Sequence, residues 1–171
     1  MPGFITAGVV GRPGDIHSTQ QNTLGQLAFT TDGKGYVYLQ GIGSVAAGSW
    51  VTIGAVHVAA LLVSGANGRV AVASAAIVAS KFGWFQVAGE CTNALASSNG
   101  TIASGGGQLQ VGGSGLVAAQ GTSTGAAAGD YIFGAYAYSG QPASESTGAD
   151  TIASVFLNYP FIAAAPAVAS S

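Results

Sequence analysis

Charge is scarce in this chain. Four Lys and Arg and six Asp and Glu make up 6% of 171 residues, whereas an ordinary soluble domain of this length carries about forty. A compact monomer of this mass exposes on the order of 7,600 Å², so its charges are thinly spread even if all lie outside. Free monomers rely on a mixed-charge surface to avoid large apolar patches. The composition therefore predicts a chain that hides much of its surface against other copies or another protein. The four cations, Arg12, Lys34, Arg69 and Lys81, are scattered. Phosphate binding needs clustered cations, which argues against a nucleic-acid partner.

Other shortages exclude further classes. One cysteine, Cys91, leaves no internal disulfide, and it reads as a small buried hydrophobe. No apolar run reaches 18 residues; Ala55–Val63 is too short and Arg69–Ala79 is broken by Ser74. A membrane-spanning helix is thus not expected. Met1–Ile5 lacks the basic region and apolar core of a signal peptide, so synthesis in the cytoplasm without conventional secretion is the expectation. The 28 glycines have no three-residue period and the prolines number 5, which excludes collagen.

What is present is apolar and β-patterned. Hydrophobic residues reach 49%, and the mean hydropathy of +0.46 excludes ordinary disorder. Leu24–Thr30 and Tyr36–Gln40 flank Thr31-Asp32-Gly33-Lys34-Gly35. Asp-Gly between two such runs is a hairpin signal, because glycine tolerates the positive φ that the turn requires. Trp50–Ile53, Ala55–Leu62, Arg69–Ala73 and Gly83–Gly89 follow with turn residues between them, then Gln108–Val111, Gly115–Gln120, Tyr131–Tyr138 and Thr151–Tyr159. Ala55–Val63 has some helical propensity but fits a strand as well. Short strands at this spacing predict an all-β fold, a small antiparallel β-barrel or sandwich with Gly/Ala/Ser-rich loops. Arg69–Ala73 followed by Trp84–Val87 is similar to Asp130–Ala135 followed by Val155–Leu157, which suggests a duplicated strand pattern.

The expected organisation is an extended N-terminal arm over 1–23, a β domain over 24–162 and an Ala/Ser-rich tail over 163–171. The β domain divides into two related strand-rich halves, about 24–90 and 108–162. In the arm, Phe4, Ile5, Val9 and Val10 are candidate partner contacts. The candidate core is Trp50, Val70, Val72, Trp84, Phe85, Val87, Ile132, Phe133, Val155, Phe156 and Leu157. Gln141–Ala149 reads as an exposed loop.

Catalysis usually needs a titratable group poised near the working pH. Asp32 is explained by its turn, Asp130 and Asp150 open strands, Asp15 belongs to the arm and Glu145 to a loop. Glu90 alone sits at a strand end beside a candidate interior residue, Cys91. His17 and His57 lie far apart without companions at metal-ligand spacing. Gly121-Thr122-Ser123-Thr124-Gly125 matches a hydrolase elbow formally, but both histidines precede Ser123 and the flanks are not strand and helix. Gly41–Ala46 matches a dinucleotide fingerprint that would need a helix to follow, and Ala47-Gly48-Ser49-Trp50 disfavours one. Asn99-Gly100-Thr101 reads as a turn. No enzymatic activity, metal or cofactor is expected.

The order of the hairpin Leu24–Gln40, Val45–Ile53, Gly68–Ala73 and Gly83–Gly89 resembles the small virion-associated β proteins of tailed phages, the capsid decoration or cement proteins. The resemblance covers 24–89, and 108–159 by a weaker strand pattern; the long Gly/Ala/Ser-rich second half departs from it. It implies a subunit made in the host cytoplasm that binds the outside of the assembled phage head. There it would bridge and stabilise subunits of the major capsid protein, often as a homotrimer, with neither nucleic acid nor membrane as partner. The alternatives are a phage tail or fibre component and a carbohydrate-binding β domain.

Overall fold

The computed structural model describes residues 3–97, 107–119, 130–139 and 151–163. The fold is all-β. Among the described residues there are eleven strands: β1 (Ile16–His17), β2 (Leu27–Phe29), β3 (Gly35–Gly41), β4 (Trp50–Ile53), β5 (Val58–Leu61), β6 (Gly68–Ala73), β7 (Phe82–Ala96), β8 (Gln108–Gly113), β9 (Leu116–Ala119), β10 (Tyr131–Ser139) and β11 (Thr151–Ile162). All belong to one continuous sheet. The sheet is mixed, not purely antiparallel, because β3–β5 and β7–β9 pair in parallel. Ala55–Val63, with its split propensity, supplies β5.

The pairings close two circuits that share β7. In the first, β3 pairs β5, β5 pairs β4, β4 pairs β6, β6 pairs β7 and β7 returns to β3. In the second, β7 pairs β9, β9 pairs β8, β8 pairs β10, β10 pairs β11 and β11 returns to β7. Number the strands of each circuit one to five along the chain. Both then run one–three–two–four–five–one, and in both the one–three contact is parallel. The two segments whose sequences are similar fall on the fourth and fifth strands of each circuit.

β7 serves both circuits because it changes direction partway. Gly89 has φ +84° and an added Cβ would lie 3.1 Å from the Gly33 carbonyl oxygen, so glycine lets the hairpin tip approach the bend. Before it, Phe85 and Val87 join the cluster built from one face of β3–β7, with Val37, Leu39, Val51 and Ala71. After it, Cys91, Ala94 and Ala96 join a second cluster with Leu109, Ile132, Val155 and Leu157. Trp50, Val70 and Val72 belong to this second cluster although their strands lie in the first circuit. The back of β4 and β6 is thus packed against the C-terminal unit, and the two circuits share a core.

A third cluster lies outside the first circuit. Tyr36, Tyr38 and Trp84 stand on the outer face of β3 and β7, with Phe4, Val9, Leu24 and Phe82 packed over them. The segment read as an arm is therefore laid on its own chain. Phe4 bridges Thr30, the Ile5 amide donates to the Phe29 carbonyl at 2.9 Å, and β1 pairs Gly83 and Phe82. Asn22 clamps the same segment, accepting from the Val10 amide at 2.8 Å and donating to its carbonyl at 3.0 Å.

Two candidate core residues are placed otherwise. Phe133 is 40% exposed, because period two along β10 turns Ile132 inward and Phe133 outward. Its strand partner pattern does the same to Phe156, which is half-buried between inward Val155 and Leu157. The remaining candidates, Trp50, Val70, Val72, Trp84, Phe85, Val87, Ile132, Val155 and Leu157, are buried. Gly121–Gly125, Asn99–Thr101, the Gln141–Ala149 loop and the tail beyond 163 lie outside the described residues.

Candidate interaction surface

The outer face of the β10–β11 pair carries four aromatic side chains in two rows. In the first, Phe133 on β10 is opposite Phe161 on β11, and Phe161 is opposite Arg69 on β6. In the second, Tyr136 on β10 is opposite Phe156 on β11, and Phe156 is opposite Glu90 on β7. Directly opposed residues of antiparallel strands project from the same face, so each row reads aromatic, aromatic, charge. Within the rows the rings stack: Phe133–Phe161 centroids are 5.1 Å apart at 19°, and Tyr136–Phe156 are 5.4 Å apart at 21°. Offset stacks at this spacing are worth about 0.5–1.5 kcal/mol beyond area burial.

A bulge keeps both rows on one face. Between the Phe133–Phe161 and Ala135–Leu157 pairs, β10 has one residue, Gly134, while β11 has Asn158, Tyr159 and Pro160. Gly134 has φ +72°, and an added Cβ would meet the Asn158 carbonyl oxygen at 2.6 Å. Any side chain there would clash with backbone in a conformation that L residues disfavour. Without the shift, Phe133 and Tyr136, three positions apart, would point to opposite faces. Tyr159, at φ 47° and 50% exposed, widens the same apolar surface.

The candidate arm contacts are divided. Phe4 is spent on its own fold, its ring 4.6 Å from Trp84 and 5.6 Å from Tyr36, and Val9 packs beside it. Ile5 and Val10 remain exposed. Sequence reasoning did not find the aromatic rows, because it took aromatics within strands as core. The available signal was the alternation of Phe133, Tyr136 and Phe156 with Ile132, Ala135, Ala137, Val155 and Leu157.

The titratable groups sit in separate structural roles. His17 Nδ1 is 2.8 Å from the Tyr38 hydroxyl, Asp15 accepts from the Arg12 amide at 2.8 Å, and Lys34 pairs Asp32 at 3.5 Å. The Thr30 hydroxyl, donating to Asp32, holds that carboxyl below its ordinary range. Asp130, buried at the head of β10, accepts from the Ser64 hydroxyl and from the Gly65 amide at 3.1 Å. Burial pushes the Cys91 thiol up to about 11. Among the described residues no three His, Cys, Asp or Glu side chains are grouped to hold a metal ion. No helix among them is long and apolar enough to cross a membrane. Gly41–Ala46 leaves β3 for a bridge at Val45, with no helix to aim amides at a phosphate.

A cleft of about 270 Å³ lies where the Asp32–Lys34 hairpin meets the bend of β7, lined also by Pro13, Tyr36, Ser74, Gln86, Thr92 and Asn93. Gln86 spends both amide hydrogens on the Ala88 and Glu90 carbonyls. Comparison with protein-family models, with curated proteins and with solved structures gives no match to this chain.

Proposed function

We propose that the protein is a structural subunit without catalytic activity, one that docks through apolar faces into a larger protein assembly. The particular form that the sequence resemblance favours is a decoration protein on the head of a tailed phage, bridging major capsid subunits. The observation that carries the reading is the pair of aromatic rows, left partly exposed on a fold that covers its other aromatic face with its own N-terminal segment. Uncovered aromatic area of this kind marks a docking site more often than a solvated surface. The scarcity of charge supports the same reading, since few ionic groups must be desolvated when copies crowd together. The exposed Ile5 and Val10 offer a second, smaller apolar contact.

The test is cosedimentation of the purified protein with heads assembled from the major capsid protein of the same genome. Saturable binding, together with a higher temperature for head disruption, is the expected result. Binding to isolated tails and not to heads would move the protein to the tail. Binding to neither, by a chain that stays monomeric at high concentration, would overturn the structural reading.

A further inference from the structure

The two rows differ in the sign of the charge that ends them. Phe133–Phe161 ends at Arg69 and Tyr136–Phe156 ends at Glu90, and both charged side chains are exposed. Among the described residues neither has an ion-pair partner. On a chain with ten charges in all, one cation and one anion at matched ends of two adjacent aromatic rows form a self-complementary pattern.

We propose that the β10–β11 face binds the same face of a second copy about a two-fold axis, which runs across the strands midway between the rows. That rotation exchanges the rows. Arg69 then meets Glu90 of the second copy, Phe161 meets Phe156, and Phe133 meets Tyr136, each contact occurring twice, as in any isologous interface. A foreign partner would need to match both charge signs and both rows, whereas a second copy matches them by symmetry.

The available area fits such a pairing. Phe133, Tyr136 and Phe161 are 40%, 41% and 47% exposed, with Tyr159 at 50% and Ile152 at 54%. Five large side chains about half exposed offer on the order of 450 Å². Arg69, Glu90 and the intervening backbone extend this toward the roughly 800 Å² per partner of a stable interface. The arrangement has an aromatic centre and a charged rim, the usual anatomy of a specific contact. It rests on the reading of this face as a docking surface. It also departs from the trimer that the resemblance implies, since a two-fold contact makes pairs.

Sedimentation equilibrium of the full chain tests it, with thermal melting as a check that each variant folds. The wild type should give the mass of a dimer. Phe161→Ala should weaken dimerisation by about a hundredfold, as truncation of a central aromatic anchor does. Arg69→Glu and Glu90→Arg should each weaken it by about tenfold, because each single reversal sets like charges together at both ends. The double variant R69E/E90R should restore wild-type affinity, a recovery that damage to folding would not produce. A wild-type monomer or trimer, or a double variant weaker than both singles, would overturn the two-fold pairing. If such a monomer still bound heads, the pairing alone would fail. A dimer that bound no assembly would leave the pairing standing and remove the phage-head reading.

Discussion

In the N-terminal circuit the outer face of the last strand, β7, carries Trp84 beside Tyr36 and Tyr38, and Phe4, Val9 and Leu24 close over it. In the C-terminal circuit the outer face of the last strand, β11, carries Phe156 and Phe161 beside Tyr136 and Phe133, with Phe133, Tyr136 and Phe161 exposed and Phe156 half-buried. The strand path is the same in both. The interiors do not differ in kind: alanines line part of each, with Phe85 the bulk of the first and Trp50 that of the second. Aromatic bulk that the first unit seals on its back with its own N-terminus, the second presents outward. One topology therefore serves as a closed scaffold in the first half and as a contact surface in the second.

The largest expected effect tests whether the two units are separable. Trp50 is fully buried on β4 of the first circuit yet belongs to the core of the second. Trp50→Ala should cost about 3–5 kcal/mol through lost transfer energy and the cavity left behind. A shared core predicts one cooperative thermal transition, shifted as a whole. Two transitions, with only the second moved, would mean that the circuits fold independently. Next in size is Gly134→Ala, which combines positive φ with a backbone clash and should cost on the order of 3 kcal/mol. Its N-terminal control is Gly33→Ala, at φ +79° with nothing within 4 Å of an added Cβ. That variant meets strain alone and should lose about 1 kcal/mol by chemical denaturation.

The all-β class was readable because nearly every apolar run alternates or is short, and Asp32-Gly33 marked its turn, where the Gly33 amide donates to the Thr30 carbonyl. The likeness between the β6–β7 and β10–β11 sequences was readable too. The closure of the circuits was not, since β3–β5 rests on two residue pairs, Gln40–Val58 and Gly41–Ala59, and β7–β9 on one. Local pattern carries no trace of contacts so sparse and so far apart in the chain. For the aromatic surface the failure was different. Alternation assigns residues to two faces, but it does not say which face is covered, and Trp84 and Phe161 sit in similar strand contexts with opposite outcomes. What separates them is the N-terminal segment, whose fold-back onto β7 depends on Phe4 meeting Trp84 across 80 positions of sequence.

A smaller effect probes how the C-terminal unit is tied to the first. Asp130 reaches from β10 to Ser64 and Gly65 in the β5–β6 turn. Asp130→Ala removes the hydrogen bonds from the Ser64 hydroxyl and the Gly65 amide to a buried carboxylate, and should cost about 1–3 kcal/mol in urea unfolding. A loss below half a kcal/mol, on the order of that for an ordinary surface change, would show that the shared core alone joins the units.

Cys91 gives the smallest and most local readout, because it is the first inward residue of β7 past the bend, where the second core begins. Burial raises its thiol to about 11, against an ordinary value of 9.0, partly offset by hydrogen bonding around Asn93. The folded state thus holds the proton more tightly than the unfolded state does. The associated stability is fully present below pH 9 and is lost as pH rises through about 11, the sign expected for a raised folded pKa. The chain has one thiol, so alkylation reports it without ambiguity. Native protein at neutral pH should resist alkylation, and urea should release full reactivity. Phe161→Ala should leave that protection unchanged, since the ring stands on the opposite face from the second core. Trp50→Ala should weaken it. Equal protection in both variants would mean that Trp50 does not seal the C-terminal core, and the shared packing inferred between the two units would fail with it.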